Sequence, residues 1–167
     1  MNNLAISPMK TEEEIDGKAY AHYQSWQETY DGLVDAAYLK KLTLETCREI
    51  AHRWQDNILV AKAGGKVVGF VAYGAYRDQA LLQCGEIYAI YVLQEYHGRQ
   101  VGFALMNAAV EQLADYSRIA VWVLKGNDKA VRFYERYGFH FDGTEQQISL
   151  GAPNTECRMI FERKQGN

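Results

Sequence analysis

The feature that most restricts the fold lies in the middle of the chain. A run rich in Ile, Tyr and Val, from about Gly85 to Leu93, breaks at Gly98 to Gly102. A helical stretch follows from about Arg99 to Tyr116, and Arg118 to Leu124 is apolar again. Strand, helix and strand in that order form a crossover, which is right-handed and lays its two strands parallel. The spacing therefore predicts a sheet with at least one parallel pair and a helix on its face.

The flanking segments predict the rest. Leu4-Ala5-Ile6 reads as a short strand, and Thr11 with Glu14 three residues later forms a capping box that opens a helix reaching about Tyr30. Ile15, Ala19, Tyr23 and Trp26 recur along it at helical spacing, and Asp31-Gly32 ends it. A second helix is expected from about Leu44 to Trp54. Ile58 to Ala61 and Val67 to Tyr76 read as strands joined by a Gly64-Gly65 turn. After the crossover, Asn127 to Tyr137 reads as a helix stopped by Gly138, and Phe139 to Gln147 and Thr155 to Phe161 as final strands. The order is β-α-α-β-β-β-α-β-α-β-β, an α/β (α+β) chain with a mixed sheet and helices on both faces. No linker or repeat interrupts it, so residues 1–167 are expected to form one domain.

Composition narrows the function. Lys plus Arg number 18 against 21 Asp plus Glu, a net charge of -3, whereas nucleic-acid binders usually carry a basic excess. Nucleic acid is not an expected partner. Apolar runs such as Tyr91-Val92-Leu93 fall far short of the roughly 20 residues needed to span a bilayer. No membrane association is expected, and the start Met1-Asn2-Asn3-Leu4 lacks the pattern of a signal peptide, so the expected location is cytoplasmic. Three cysteines without a C-x-x-C pair and four scattered histidines predict neither a disulfide framework nor a metal site. No serine stands in a G-x-S-x-G elbow.

Two segments carry chemistry. Glu95-Tyr96-His97-Gly98-Arg99-Gln100-Val101-Gly102-Phe103-Ala104-Leu105 leaves a strand, turns through glycines and enters a helix. A helix start offers unpaired N–H groups and partial positive charge, and glycines admit a ligand to the backbone, so this can cradle a pyrophosphate. A plain turn with Gly102 placed for close packing reads equally well. The second segment, Asn127 to Phe139, opens on an N-cap residue and alternates apolar with charged positions, as an amphipathic helix does.

Together the two segments resemble the GNAT superfamily of acyl-CoA N-acyltransferases. Asn127, Ala130, Phe133, Tyr134, Gly138 and Phe139 match that family's N-x-x-A-x-x-F-Y-x-x-x-G-F signature. The glycine turn resembles its [Q/R]-x-x-G-x-[G/A] loop in either of two registers. One aligns Gly98 and Gly102 with family glycines, placing His97 in the Gln/Arg slot and Gln100 in a glycine slot; the other reads Arg99-x-x-Gly102-x-Ala104 literally. The resemblance implies acetyl-CoA as co-substrate, no metal, and direct transfer of acetyl to a primary amine, on a small molecule or a peptide N-terminus. It implies a pantetheine arm along Ile90, Tyr91 and Val92, and a pyrophosphate on His97, Gly98, Arg99, Gln100, Val101, Gly102, Phe103 and Ala104. Asn127 and Ala130 would border the cofactor, Tyr134 would be the acid that protonates the thiolate, and a backbone N–H near a strand bulge would polarise the thioester. Glu86, two residues before Tyr88 and four before Ile90 on the same strand, is the expected base.

On the acceptor side, Trp26 and Tyr30 belong to a segment that resembles a W-x-x-x-Y-x-G pattern of one branch of the family, and one helical turn separates them. They are expected to wall the acceptor pocket, with Glu28 as a substrate contact and an acidic mouth of Glu28, Asp31 and Asp35 drawing a cationic amine. A homodimer is compatible with the family's habits. The competing reading is a CoA-binding sensor or interaction module with the same fold and little or no turnover.

Overall fold

The computed structural model describes residues 3–78, 81 and 83–164. Its strands are β1 (Leu4–Pro8), β2 (Ile58–Ala63), β3 (Lys66–Ala75), β4 (Cys84–Val92), β5 (Arg118–Leu124), β6 (His140–Ser149) and β7 (Pro153–Glu162). They form one sheet in the order β1-β2-β3-β4-β5-β7-β6, in which only the β4–β5 pair is parallel. The helices are α1 (Glu12–Tyr30), α2 (Ala36–Lys41), α3 (Leu44–Arg53), α4 (Val101–Gln112) and α5 (Asp128–Tyr137).

The expected mixed sheet and the order of its elements are present, with two additions. Helix α2 has only six residues, of which Leu39 alone is buried, too few to show a helical period; Asp35 caps it by accepting from the Tyr38 N–H. A 3-10 turn, Gln94–Tyr96, precedes the glycine segment, and α4 starts at Val101 rather than near Arg99. The capping box of α1 forms: Thr11 Oγ1 accepts from Glu14 N, and the Glu14 carboxylate accepts from the backbone N–H groups of Lys10 and Thr11. Lys62 Nζ lies 2.9 Å from that carboxylate, and these bonds hold its pKa down at about 2.

Strand alternation divides the core between the two faces of the sheet. Ile119, Val121 and Val123 of β5 and Met159 of β7 pack with Leu105, Met106 and Ala109 of α4 and Tyr134 of α5. On the opposite face, Ile15 and Ala19 of α1 and Cys47 and Ala51 of α3 pack on Ile58, Val60 and Phe70.

One irregularity shapes everything that follows. β4 and β5 pair only from Cys84–Arg118 to Ile87–Val121, while β4 stays paired with β3 to Val92 and β5 with β7 to Leu124. Beyond Ile87 the two central strands therefore part, and the sheet opens between them. A bulge marks the parting: Ala89 pairs with Ala72 and Ile87 with Tyr73, so Tyr88 is the extra residue on β4.

Candidate active site

The opening between β4 and β5 is a cavity of about 450 Å³. Tyr88 to Val92 of β4 form one wall and Val121 to Leu124 of β5 the other. The Leu93 N–H donates to Val68 O, so the ladder to β3 uses Leu93, Tyr91 and Ala89. Antiparallel alternation then turns the backbone N–H and C=O of Ile90 and Val92 toward the parted side. Of the three residues expected to present an edge, Ile90 and Val92 do so with backbone, whereas Tyr91 contributes its side chain.

The α4 end of the cavity is built mainly from backbone. Gly98 and Gln100 both adopt left-handed conformations, with φ of 76° and 66°. Gly98 does so without steric cost, while Gln100 carries a side chain in a region that L residues enter at a cost of about 1 kcal/mol. This bend brings His97, Gly98, Gln100, Val101, Gly102 and Phe103 to the cavity wall. The first intrahelical bond of α4 is Ala104 N–H to Gln100 O, and no side chain caps the helix. The N–H groups of Val101, Gly102 and Phe103 are thus the free donors of a helix start. Gly102 has a packing reason too: a Cβ there would stand 3.0 Å from the Phe133 ring.

Charge at this end comes from α5. Lys129 and Arg136 line the cavity with Phe133 between them, a spacing that places all three on one helical face. The His97 ring links Lys129 to β4: Nε2 lies 2.8 Å from Val92 O, and Nδ1 lies 2.9 Å from Lys129 Nζ. A carbonyl only accepts, so Nε2 carries the proton and Nδ1 accepts from the lysine. Asn127 caps α5 by accepting from Ala130 N–H, and both residues line the cavity.

The opposite end is built from side chains of distant segments. Trp26, Thr29 and Tyr30 come from α1, Ile148 and Leu150 from the β6–β7 hairpin, and Glu156 from β7. The rings of Trp26 and Tyr30 meet edge-on at 4.7 Å, and the hydroxyls of Tyr30 and Tyr91 share a hydrogen bond of 3.0 Å. Burial raises the pKa of Tyr30, Tyr91 and Tyr134 alike, and each of the latter two also feels Tyr30. All three phenols therefore stay protonated around neutral pH. Tyr134 is 7% exposed, packed against Phe133 and Phe139, and reaches the cavity from α5.

Four expected site residues lie elsewhere. Arg99 stacks its guanidinium on the Tyr96 ring and does not line the cavity, and neither does Ala104, which is already inside the helix ladder. Glu28 accepts from Gln94 N–H and borders a small separate pocket with Tyr20 and Gln24. The acidic mouth does not form either, since Asp35 is spent on capping α2 and Asp31 ends α1. Glu86 is only 1% exposed and outside the cavity lining; Arg77 Nη2 sits 2.6 Å from its Oε2, and Arg77 N and Nε bond its Oε1. That pairing makes Glu86 a partner of Arg77, and direct proton removal by Glu86 would require breaking it. Lys129 and Arg136 escaped the sequence reading although their spacing with Phe133 could have revealed them. Glu156 offered no local signal. Among the described residues there is no group of His, Cys, Asp and Glu that could hold a metal ion, and no helix is long and apolar enough to cross a membrane.

Comparison with known proteins agrees with this geometry. The profile of the acetyltransferase (GNAT) family matches residues 19–139. An uncharacterized N-acetyltransferase of Bacillus subtilis, YuaI, is 32% identical over 158 residues, covering 85% of this chain and 89% of its own. Another from Archaeoglobus fulgidus is 34% identical over 112 residues, 64% of this chain and 76% of its own. Among solved structures, PH1933 of Pyrococcus horikoshii superimposes with a TM-score of 0.74 at 22% identity, covering 97% of this chain and 99% of its own. The PaiA N-acetyltransferase of Thermoplasma acidophilum, determined with coenzyme A, does so with a TM-score of 0.72 at 19% identity over 96% and 99%. The chain belongs to the GNAT family and is an acyltransferase.

Proposed function

We propose that the protein transfers an acetyl group from acetyl-CoA to a primary amine, both substrates meeting in the cavity between β4 and β5. The observation that carries this reading is the cavity itself: it passes between parted strands, with the backbone of Ile90 and the N–H of Val92 free on one wall and the protonated Tyr134 on another. The residues present suit acyl-CoA. The uncapped start of α4 with Lys129 and Arg136 suits a pyrophosphate, and an amide-bearing arm can pair with Ile90 as a strand would.

The reaction asks little of the protein beyond orientation and proton transfer. The bound thioester supplies the activated acetyl group. Ile90 and Val92 orient the arm, and the irregular backbone at Tyr88 offers an N–H to the thioester carbonyl. Tyr134 gives its proton to the departing sulfur. A phenol kept neutral by burial holds that proton until a thiolate forms beside it.

Release of free thiol from acetyl-CoA, measured against a panel of primary amines, tests this reading. Amine-dependent release is expected. Stabilisation by acetyl-CoA without release on any amine would instead favour a binding module.

A further inference from the structure

We propose that Glu156 is the acceptor-recognition residue: its carboxylate receives the ammonium of a primary amine that carries no carboxylate on the adjacent carbon. The inference rests on the acetyltransferase reading above and names the substrate class of that site.

Alternation along β7 fixes where Glu156 stands. Met159 packs on the α4 and α5 face, while Ile160 packs with Ala120 and Arg158 stacks near Trp122 on the other. Glu156 shares the face of Arg158 and Ile160, the face covered by α1. It lies close enough to Tyr30 to raise that phenol's pKa. The cavity thus runs through the sheet, with Lys129 and Arg136 on the α5 side and Glu156 on the α1 side.

Glu156 is the one carboxylate among the described residues that line the cavity. Gln146 Nε2 donates to its Oε2 at 2.7 Å and holds the side chain in place. Cations on the same face are already engaged. Arg158 Nη2 is 2.6 Å from Asp142 and its other nitrogens bond Asp142 and Tyr76, while Arg77 is bound to Glu86. Among the described residues none forms an ion pair with Glu156, although Arg77 feels its charge at longer range. The rings of Trp26 and Tyr30 add faces that attract a cation, and Ile148 and Leu150 offer apolar contact to whatever carbon chain bears it. An acceptor with a carboxylate next to its amine would bring a second negative charge against Glu156, and among the described residues no cation stands on this side of the cavity lining to receive it.

The proton account closes with the same groups. Glu156 takes one proton from the ammonium, freeing the nitrogen lone pair. Nitrogen bonds the acetyl carbon as the carbon–sulfur bond breaks, the bonding pair leaves on sulfur, and sulfur takes the Tyr134 proton. The amide nitrogen sheds its second proton to the tyrosinate, and Glu156 returns its proton to solvent.

Matched acceptors test the proposal: phenethylamine against phenylalanine and agmatine against arginine, each at saturating acetyl-CoA. The amine of each pair is expected to exceed its amino acid in kcat/KM by at least about 10-fold, as one uncompensated charge contact implies. Glu156→Gln should lower kcat/KM for the amines by about 10–100-fold, with acetyl-CoA affinity and Tm unchanged, and Glu156→Asp should recover part of the loss. Glu156→Lys should narrow or reverse the preference within each pair. Wild-type turnover of amines by Glu156→Gln, or an equal loss on both members of every pair, would overturn the proposal. Absence of thiol release with every amine in the wild-type protein would overturn the acetyltransferase reading itself, a result separable from the first because it precedes any substitution.

Discussion

The two ends of the cavity are made in different ways. At the α4 end, one continuous segment from Tyr96 to Phe103 supplies turn, glycine and helix start, and α5 adds Lys129 and Arg136. Across the sheet, α1 contributes side chains that lie more than a hundred residues in sequence from those of the β6–β7 hairpin and β7. A site for a conserved chemical group can be made from backbone, because N–H groups at a helix start recognise phosphate whatever side chains surround them. Choosing among acceptors needs particular side chains, and those come from wherever the fold brings them.

This contrast leads to separable outcomes. The largest concerns the group between the ends. Tyr134→Phe should lower kcat by about 10²–10⁴-fold, the usual worth of a general acid. Its acetyl-CoA dissociation constant should hardly move, because the ring and its packing on Phe133 and Phe139 are kept. Unchanged kcat with chemistry rate-limiting would take Tyr134 out of the proton path.

Reversing charge at the α4 end comes next. Lys129→Glu combined with Arg136→Glu should raise KM for acetyl-CoA by about 10–100-fold, from losing charge-assisted contacts to phosphate. The amine KM should change much less. If both rise together, the ends are not independent and the comparison breaks. Gly102→Glu is a poorer probe of this end, since a side chain there meets Phe133 as well as any ligand.

Two smaller effects concern stability. Glu14 ties α1 to β2 through Lys62, far from either end. Glu14→Gln should cost about 2 kcal/mol near neutral pH, in the range for hydrogen bonds to a charged group. Its folded pKa, about 2, lies below the ordinary 4.5, so the unfolded chain binds the proton first on acidification. The Glu14 contribution is complete above pH 4.5 and drains away as pH falls toward 2. Urea unfolding across that range should show the loss in the wild type and a flatter curve in the variant, with both KM values unaltered.

His22 sharpens the comparison because it stands behind the acceptor end, its ring stacked on Tyr91 at 6.2 Å. Burial, with Lys18 adding to it, lowers its pKa from 6.5 to about 4. The unfolded chain again takes the proton first, so stability should decline from about pH 6.5 to about pH 4, by about 1–2 kcal/mol for a ring that is not wholly enclosed. His22→Phe should remove that decline, and any kinetic change it causes should fall on the amine rather than on acetyl-CoA. A pH curve identical to wild type would mean that His22 titrates freely in the fold.

Legibility in the sequence follows the same division. Tyr134, singled out by the family signature, lies on α5 and lines the cavity; the crossover, the glycine turn and the Thr11–Glu14 box are encoded by neighbours along the chain, and each stands where spacing placed it. Trp26 and Tyr30 reached the cavity for the same reason, one helical turn apart on α1. Glu28, between them in sequence, points to Gln94 instead, because a residue two positions along a helix faces another side. The expectation that Glu86 serves as base rested on strand periodicity, which cannot reveal that Arg77 is folded over it. Glu156 depends on β7 lying beside β5, a pairing that no local pattern states. The short α2 was missed because six residues with one buried position carry no period.

The central claim is that the parted edge of β4 receives an extended, amide-bearing ligand. Amide-resolved hydrogen exchange with and without saturating acetyl-CoA tests it most directly. The account predicts slower exchange, by at least about 10-fold, at Ile90 on the parted side, with little change at Tyr91 and Ala89, whose N–H groups already bond β3, or at Gly85 to Ile87, where β4 and β5 are paired. No protection at Ile90, or equal protection at Ile90, Tyr91 and Gly85 to Ile87, would contradict it.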